Sequence, residues 1–111
     1  MSSVRTHKMA DFQGGWLVGN FIPSLRASQE VEVGLKYFAA GDTEPTHFQK
    51  TVTEFTVVAQ GRVKFGDLEF EEGTIVEIPP MVALPFESLT DSVLLVIKTP
   101  SIPADKVVGR P

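Results

Sequence analysis

The chain has 111 residues with 14 acidic and 10 basic side chains, for a formal net charge of −4. This length suits one domain with a single core, and an acidic chain without a basic run is a poor candidate for binding nucleic acid. The absence of cysteine excludes disulfides, thiolate metal sites and cysteine nucleophiles. Because no apolar run is long enough to span a membrane and residues 1–15 lack a secretory signal, we expect a cytoplasmic protein.

Period-two alternation of apolar and polar residues predicts strands along most of the chain. In chain order these are GGWLVGNF (14–21), VEVGLKYF (31–38), TVTEFTVVA (51–59), two short strands in RVKFGDLEF (62–70), GTIVEIPP (73–80) and SVLLVIKTP (92–100). Gly66-Asp67 is the expected hairpin turn within the fourth segment, and MVALPFESLTD (81–91) is a bent strand or loop interrupted by Pro85. PSLRAS (23–28) is expected to form at most one helical turn.

Many short strands between Gly and Pro turns predict an all-β barrel or sandwich. We expect residues 1–28 to form an N-terminal arm and a lead-in strand of the same domain. Residues 29–100 would form the barrel core, and residues 101–111 a partly frayed surface tail.

One polar cluster stands out within this pattern. Gly41, five residues, His47, one residue, Gln49, four residues, Glu54, six residues and Gly61 follow in order. This spacing resembles the first motif of the RmlC-like cupin superfamily, which usually has histidine at the position of Gln49. The resemblance implies a double-stranded β-helix, also called a jelly-roll cupin barrel, and a homodimer.

A second segment resembles the second cupin motif in its first half only. Gly73 opens it, and Pro79 follows after five residues. Met81 stands where a glycine is usual, and Leu84 stands where the motif has histidine. The resemblance covers roughly residues 30 to 100.

The resemblance also implies a metal held by three histidines and a glutamate. His47 and Glu54 match two of these ligands, Gln49 offers a neutral amide, and Leu84 offers no donor. Such a set lacks the nitrogen ligands that transition metals favour, so the expected cofactor is at most a weakly bound divalent ion. The alternative is a metal-free cavity in which His47 hydrogen-bonds to Glu54 or Gln49.

Convergence of these side chains requires a break in the strand. His47 and Gln49 are two residues apart and share a face, but Gln49 and Glu54 are five apart. A turn or bulge near Lys50-Thr51 must therefore intervene for all three to meet.

Lys36, Lys50 and Lys98 are candidate ligand-binding residues, because an inward-facing lysine would pair with an anion or with Glu54. The competing interpretation places each on the solvent face of its strand. Tyr37 is a further candidate if it faces inward. Aromatic residues would line the pocket or fill the core, and Trp16 would do either or pack at a subunit interface.

Two classes of function fit this sequence. The first is a module that binds a small polar or anionic metabolite of the sugar, nucleotide-sugar or organic-acid type. The second is an enzyme, either a metal-dependent oxygenase or isomerase, or a metal-free sugar epimerase or isomerase. In the metal-free version His47 is the general base, and Glu54 orients it and sets its tautomer.

Overall fold

The computed structural model describes residues 3–111, so the first two residues of the predicted arm (1–28) lie outside it. Within that range, two short 3-10 turns (Met9–Asp11 and Gln13–Gly15) precede eleven strands. The strands are β1 Trp16–Gly19, β2 Arg26–Ala27, β3 Glu32–Phe38, β4 Thr43–Gln49, β5 Thr53–Gln60, β6 Arg62–Phe65, β7 Leu68–Glu71, β8 Ile75–Ile78, β9 Leu84–Ser88, β10 Ser92–Thr99 and β11 Lys106–Val108. Within these residues, no helix has the length and apolarity to cross a bilayer.

The strands form two sheets that face each other as a jelly-roll barrel, which confirms the predicted fold class. The six-stranded sheet has the order β2-β1-β3-β10-β5-β8, and the five-stranded sheet has the order β11-β4-β9-β6-β7. Neighbouring strands are antiparallel except β1 and β2, which run parallel. The segment PSLRAS therefore contributes strand β2 rather than a helical turn.

Strand β9 crosses the middle of the five-stranded sheet although it contains Pro85. The residues on either side of this proline pair with β4, as Leu84 with His47 and Phe86 with Glu44. Two residues of β4 thus lie opposite Pro85 alone, which is the pattern of a β-bulge. Proline has no N–H to donate to a neighbouring strand, and it fits there because a residue at a bulge does not need to donate that hydrogen bond.

The core occupies one end of the barrel. Its buried side chains are Val58, Val63, Phe65, Phe86, Leu94 and Val96. Phe86 packs between two other aromatic rings, with centroid distances of 4.7 Å to Phe38 and 5.2 Å to Phe65. Apolar burial of this kind is the main force that holds the two sheets together.

Most residues of the predicted surface tail, 101–111, are exposed, but part of this segment also joins the barrel. Strand β11 pairs with β4, and Ser101 and Asp105 are both buried. The Ser101 hydroxyl accepts a hydrogen bond from the Asn20 amide at 2.8 Å and donates one to Glu32 at 3.0 Å. Residues from both ends of the sequence therefore meet at one edge of the fold.

Candidate functional site

A cavity of about 370 Å³ lies between the two sheets. Apolar side chains from the core form one part of its wall, namely Phe38, Phe65, Phe86, Leu94 and Val96. Charged side chains and one histidine form the other part, namely Glu32, Lys36, Glu44, His47, Glu54, Lys98 and Lys106. Apolar walls with a few convergent polar groups are typical of small-molecule sites.

The inner face of the six-stranded sheet carries two of the candidate lysines. Strand alternation turns Glu32 and Lys36 of β3 inward. Lys98 enters from the neighbouring strand β10, where it pairs in register with Glu32. The solvent-face interpretation is therefore wrong for Lys36 and Lys98.

The other two candidates lie away from this cavity. Tyr37 is 64% exposed on the outer face of β3, because it alternates with the inward-facing Lys36. It does not supply an inward-facing hydroxyl. Lys50 is exposed in the turn after β4 and does not line the cavity.

The side chains of both inner lysines lie against the indole ring of Trp16. The Nζ atoms of Lys36 and Lys98 lie 4.8 and 4.9 Å from the centroid of its ring. The ring fits because it packs on Gly34, where a Cβ atom would lie 2.7 Å from it. Trp16 is thus a cavity residue, which sequence reasoning left open.

Neither inner lysine lies within ion-pair distance of a carboxylate in the part of the chain that the structure describes. Lys106 pairs with Glu44 at 3.6 Å, but neither Lys36 nor Lys98 forms an ion pair within residues 3–111. Lys36 instead donates a hydrogen bond to the carbonyl of Gly14 at 2.5 Å. Burial lowers the pKa of the Lys36 ammonium, the nearby Lys98 and Lys106 charges lower it further, and only Glu44 opposes them.

His47 presents a defined tautomer to the cavity. Its Nδ1 lies 2.9 Å from the Pro45 carbonyl oxygen. Because a carbonyl oxygen only accepts, Nδ1 must carry the proton, and the lone pair of the neutral ring is then on Nε2. The bulge opposite Pro85 positions His47 and Pro45 for this contact. Nothing in the sequence indicated the bulge.

Glu54 does not set the tautomer of His47. Its Oε2 accepts a hydrogen bond from the Thr56 hydroxyl at 2.8 Å, and no ion pair joins it to His47 within the part of the chain that the structure describes. The orienting contact that the sequence assigned to Glu54 comes from the Pro45 carbonyl instead.

The three motif residues meet around a second, much smaller cavity of about 10 Å³. His47, Gln49 and Glu54 all line it, and Leu84 forms an apolar part of its wall. Gln49 is buried, and its Nε2 has no hydrogen-bond partner among residues 3–111. A void of this size is close to the minimum for one water molecule, which an unpaired amide would bind.

The predicted break at Lys50-Thr51 is present, and Asp105 holds it. The Asp105 carboxylate accepts hydrogen bonds from the backbone N–H groups of Thr51 at 2.8 Å and Val52 at 3.0 Å. Burial acts to raise the pKa of this carboxyl, but these hydrogen bonds and the Lys50 charge outweigh it and lower the pKa. Asp105 is the residue that sequence reasoning missed, because its partners are more than 50 positions away.

The motif residues do not fit a transition-metal ion. A search of residues 3–111 finds no group of three or more His, Asp or Glu side chains that could hold one. One imidazole, one carboxylate that already accepts the Thr56 hydrogen bond and one amide make a poor donor set for Zn(II), Ni(II) or Fe(II). The apolar Leu84 occupies the remaining position.

Comparison with known proteins supports the fold. No family model matches the sequence, and no curated protein matches it either. Among solved structures, an uncharacterized conserved protein with a double-stranded β-helix domain from Klebsiella pneumoniae is 12% identical, with a TM-score of 0.68. The match covers 76% of this chain and 74% of that one.

Two further structures show the same architecture. An RmlC-like cupin protein from Desulfovibrio desulfuricans is 23% identical, with a TM-score of 0.60 and coverage of 68% of this chain and 76% of that one. DMSP lyase DddQ from Ruegeria pomeroyi is 17% identical, with a TM-score of 0.69. The match covers 84% of this chain and 49% of that one. Likeness at these identities establishes the fold and leaves the chemistry open. The chain therefore has the cupin fold, a double-stranded β-helix, which these structures share.

Proposed function

We propose that this protein binds a small organic anion in the barrel cavity. The observation that carries the proposal is the position of Lys36 and Lys98, whose ammonium groups lie 4.8 and 4.9 Å from the centre of one indole ring. Neither forms an ion pair with a carboxylate among residues 3–111. A cation that is partly removed from water is costly unless a charge balances it. A bound carboxylate or phosphate would provide that charge.

The size and shape of the cavity narrow the ligand class. A volume of about 370 Å³ is near the lower end of the range for ligand sites, roughly 300–1,000 Å³. This favours an organic acid or a sugar phosphate over a nucleotide sugar. Phe38, Phe65 and Phe86 would contact the carbon skeleton, while the lysines hold the charged group.

Binding of an anion would change the protonation of Lys36. Burial lowers the pKa of this ammonium in the free protein, and a neighbouring negative charge raises it again. Ligand binding at alkaline pH is then accompanied by proton uptake, so affinity decreases as the pH rises and Lys36 loses its proton. Titration calorimetry in two buffers of different ionisation enthalpy measures that uptake.

The experiment that tests the proposal is a binding survey with a matched control. Succinate, malate and glucose 6-phosphate are titrated against the protein, with neutral glucose as the uncharged reference. Lys36→Met and Lys98→Met should each weaken binding of the best anion about tenfold or more. Lys64→Met removes a lysine that lies outside the cavity and should leave affinity unchanged. The proposal fails if no anion binds, or if the Lys64 variant is affected as strongly.

A second candidate function is acid–base catalysis, and the fixed tautomer of His47 supports it. An Nε2 lone pair at a cavity wall is suited to accept a proton from a bound substrate. Two solved structures to which this chain is similar are of DMSP lyases, so a lyase is one reaction class to test. A metal-free isomerase, epimerase or lyase would lose turnover in His47→Gln while still binding its substrate.

A divalent ion remains the alternative cofactor, bound weakly by His47, Glu54 and Gln49. Elemental analysis of protein purified without an affinity tag would detect it. Stoichiometric metal that disappears in His47→Ala would support a metal-dependent oxygenase or isomerase. Activity that persists in metal-free protein but is lost in His47→Ala would support acid–base chemistry instead.

A further inference from the structure

One carboxylate on the cavity wall is almost completely removed from water. Glu32 is only 4% exposed, although it lines the cavity. Strand β1 confines the stem of this side chain, because a Cβ atom at Gly19 would lie 2.7 Å from the Glu32 Cγ. The carboxylate of Glu32 is therefore held in a fixed place at the inner end of β3.

Only one of the two Glu32 oxygens has a partner. Oε1 accepts a hydrogen bond from the Ser101 hydroxyl at 3.0 Å, and that hydroxyl accepts one from the Asn20 amide at 2.8 Å. Oε2 forms no hydrogen bond or ion pair within residues 3–111. A carboxylate accepts hydrogen bonds at both oxygens, and burying it without a counter-charge is costly. Glu32 therefore offers an unused acceptor to whatever occupies the cavity.

Glu32 lies beside a lysine that does not neutralise it. Lys98 of β10 pairs in register with Glu32 on one side and with Glu54 of β5 on the other. Residues paired in this way share a face of the sheet, with Cβ atoms about 4.5–5.5 Å apart. The Lys98 ammonium lies over the Trp16 ring instead, and each carboxylate accepts a hydrogen bond from a hydroxyl. Positive and negative groups thus lie side by side on one wall without forming an ion pair.

The charges around the cavity balance as a set. Three lysines and three glutamates line it, and one pair among them, Lys106 and Glu44, forms an ion pair. The groups that remain are two lysines and two glutamates: Lys36, Lys98, Glu32 and Glu54. A ligand with only a negative charge would satisfy the lysines and leave Glu32 without a counter-charge. A ligand that carries both charges would satisfy both kinds of group.

We propose that the ligand is an α-amino acid with an apolar side chain, bound with its ammonium on Glu32 and its carboxylate on Lys36 and Lys98. The two charged groups of an α-amino acid share one carbon, which suits opposite charges held on neighbouring strands. Its ammonium can donate to Oε2 of Glu32, as a charge-assisted hydrogen bond. Its side chain would contact the apolar part of the wall, which includes Phe38 and Phe86. This inference rests on the proposed function, since the carboxylate of the amino acid is the anion that the lysines bind.

The first test compares three compounds with the same carbon skeleton by titration calorimetry on the wild type. Leucine, 2-hydroxy-4-methylpentanoate and 4-methylpentanoate carry an ammonium, a hydroxyl and a hydrogen at the same carbon. We expect leucine to bind about tenfold or more tightly than 4-methylpentanoate, because only leucine supplies a charged donor to Glu32. The hydroxy acid should lie between them. This comparison does not depend on the folding of any variant.

The second test removes the charge of Glu32 alone. Glu32→Gln keeps an oxygen that can accept from Ser101, and circular dichroism shows whether the variant is folded. It should weaken leucine binding about tenfold or more, while 4-methylpentanoate binds as before or more tightly. Glu77→Gln is the matched control, because Glu77 is exposed on the same sheet and does not line the cavity. It should change neither affinity.

The outcomes separate this inference from the proposed function. If leucine and 4-methylpentanoate bind equally well, the inference is overturned and the anion site stands. The same holds if the preference for leucine persists in Glu32→Gln. A wild type that binds succinate or glucose 6-phosphate but not leucine also overturns the inference alone. If none of these compounds binds, both proposals fail.

Discussion

The indole of Trp16 rests directly on the backbone of Gly34, which lies between Lys36 and Glu32 on the inner face of β3. Any other residue at position 34 would place its Cβ atom 2.7 Å from the ring, closer than atoms of these types approach in proteins. The glycine therefore creates the space in which the ring meets two lysines.

Gly34→Ala should displace Trp16 and weaken binding of an anion such as succinate. Because the neighbouring atoms must shift, we expect a loss of about 1–3 kcal/mol in the free energy of unfolding, as for other overpacked sites. The emission of Trp16, the only tryptophan in the chain, should change in wavelength or intensity. An unchanged spectrum together with unchanged affinity would show that the ring does not depend on this glycine.

Lys36→Met should become more stable relative to wild type as the pH is lowered from 10.5 to 7, and it should weaken anion binding. Burial lowers the pKa of Lys36 in the folded state, so its ammonium opposes folding below that folded-state pKa. The penalty decreases as the pH rises and is absent above the unfolded value of about 10.4. Urea denaturation should therefore show that the free energy of unfolding of the variant, relative to that of wild type, is higher at pH 7 than at pH 10.5.

Asp105→Ala should loosen the turn between β4 and β5. The change leaves the N–H groups of Thr51 and Val52 without their acceptor, and Val52 is only 1% exposed. We expect the free energy of unfolding to decrease by about 1–3 kcal/mol. Asp105→Asn keeps one acceptor oxygen, so its decrease should be smaller, and urea denaturation measures both.

The same carboxylate predicts a pH dependence. Because the pKa of Asp105 is lowered in the folded state, the stability it provides is complete above its unfolded value of about 3.9. That stability is lost as the pH decreases from there through the folded-state pKa. Between about pH 4 and pH 2, the free energy of unfolding should decrease faster for wild type than for Asp105→Asn. Equal decreases in the two proteins would contradict this prediction.

Met81 is the one residue other than glycine with a positive φ, 69°, in residues 3–111. It occupies the position at which the second motif usually has glycine. The left-handed conformation costs a residue other than glycine about 1–2 kcal/mol. Glycine avoids this cost, but part of the gain is lost because glycine has more conformational freedom in the unfolded state. Met81→Gly should therefore raise the free energy of unfolding by up to about 1 kcal/mol, and Met81→Leu should not.

Much of the fold was predictable because it depends on local patterns. The alternation in VEVGLKYF, the turn at Gly66-Asp67 and the β-branched residues of β5 each specify a strand or a hairpin. Alternation separates two faces of a strand but does not say which one points inward. Lys36 therefore remained ambiguous until the strands were assembled, because the inner face of β3 carries the charged Glu32 and Lys36 while its outer face carries the apolar Val33 and Leu35.

The candidate site was predictable in part. The spacing of His47, Gln49 and Glu54 implied a break in the strand, and the break is present. Its cause was hidden, because Asp105 contacts it from the far end of the sequence. The contact between His47 and the Pro45 carbonyl also depends on a bulge that forms only against β9.

The C-terminal strand has a consequence for how the protein is made. Lys106 contributes to the cavity wall, Asp105 fixes the turn after β4, and Ser101 joins the amide of Asn20 to Glu32. Until these residues have emerged from the ribosome, the nascent chain lacks part of the cavity wall and the acceptor that fixes the turn after β4. The barrel therefore closes only after its N-terminal strands have already been synthesised.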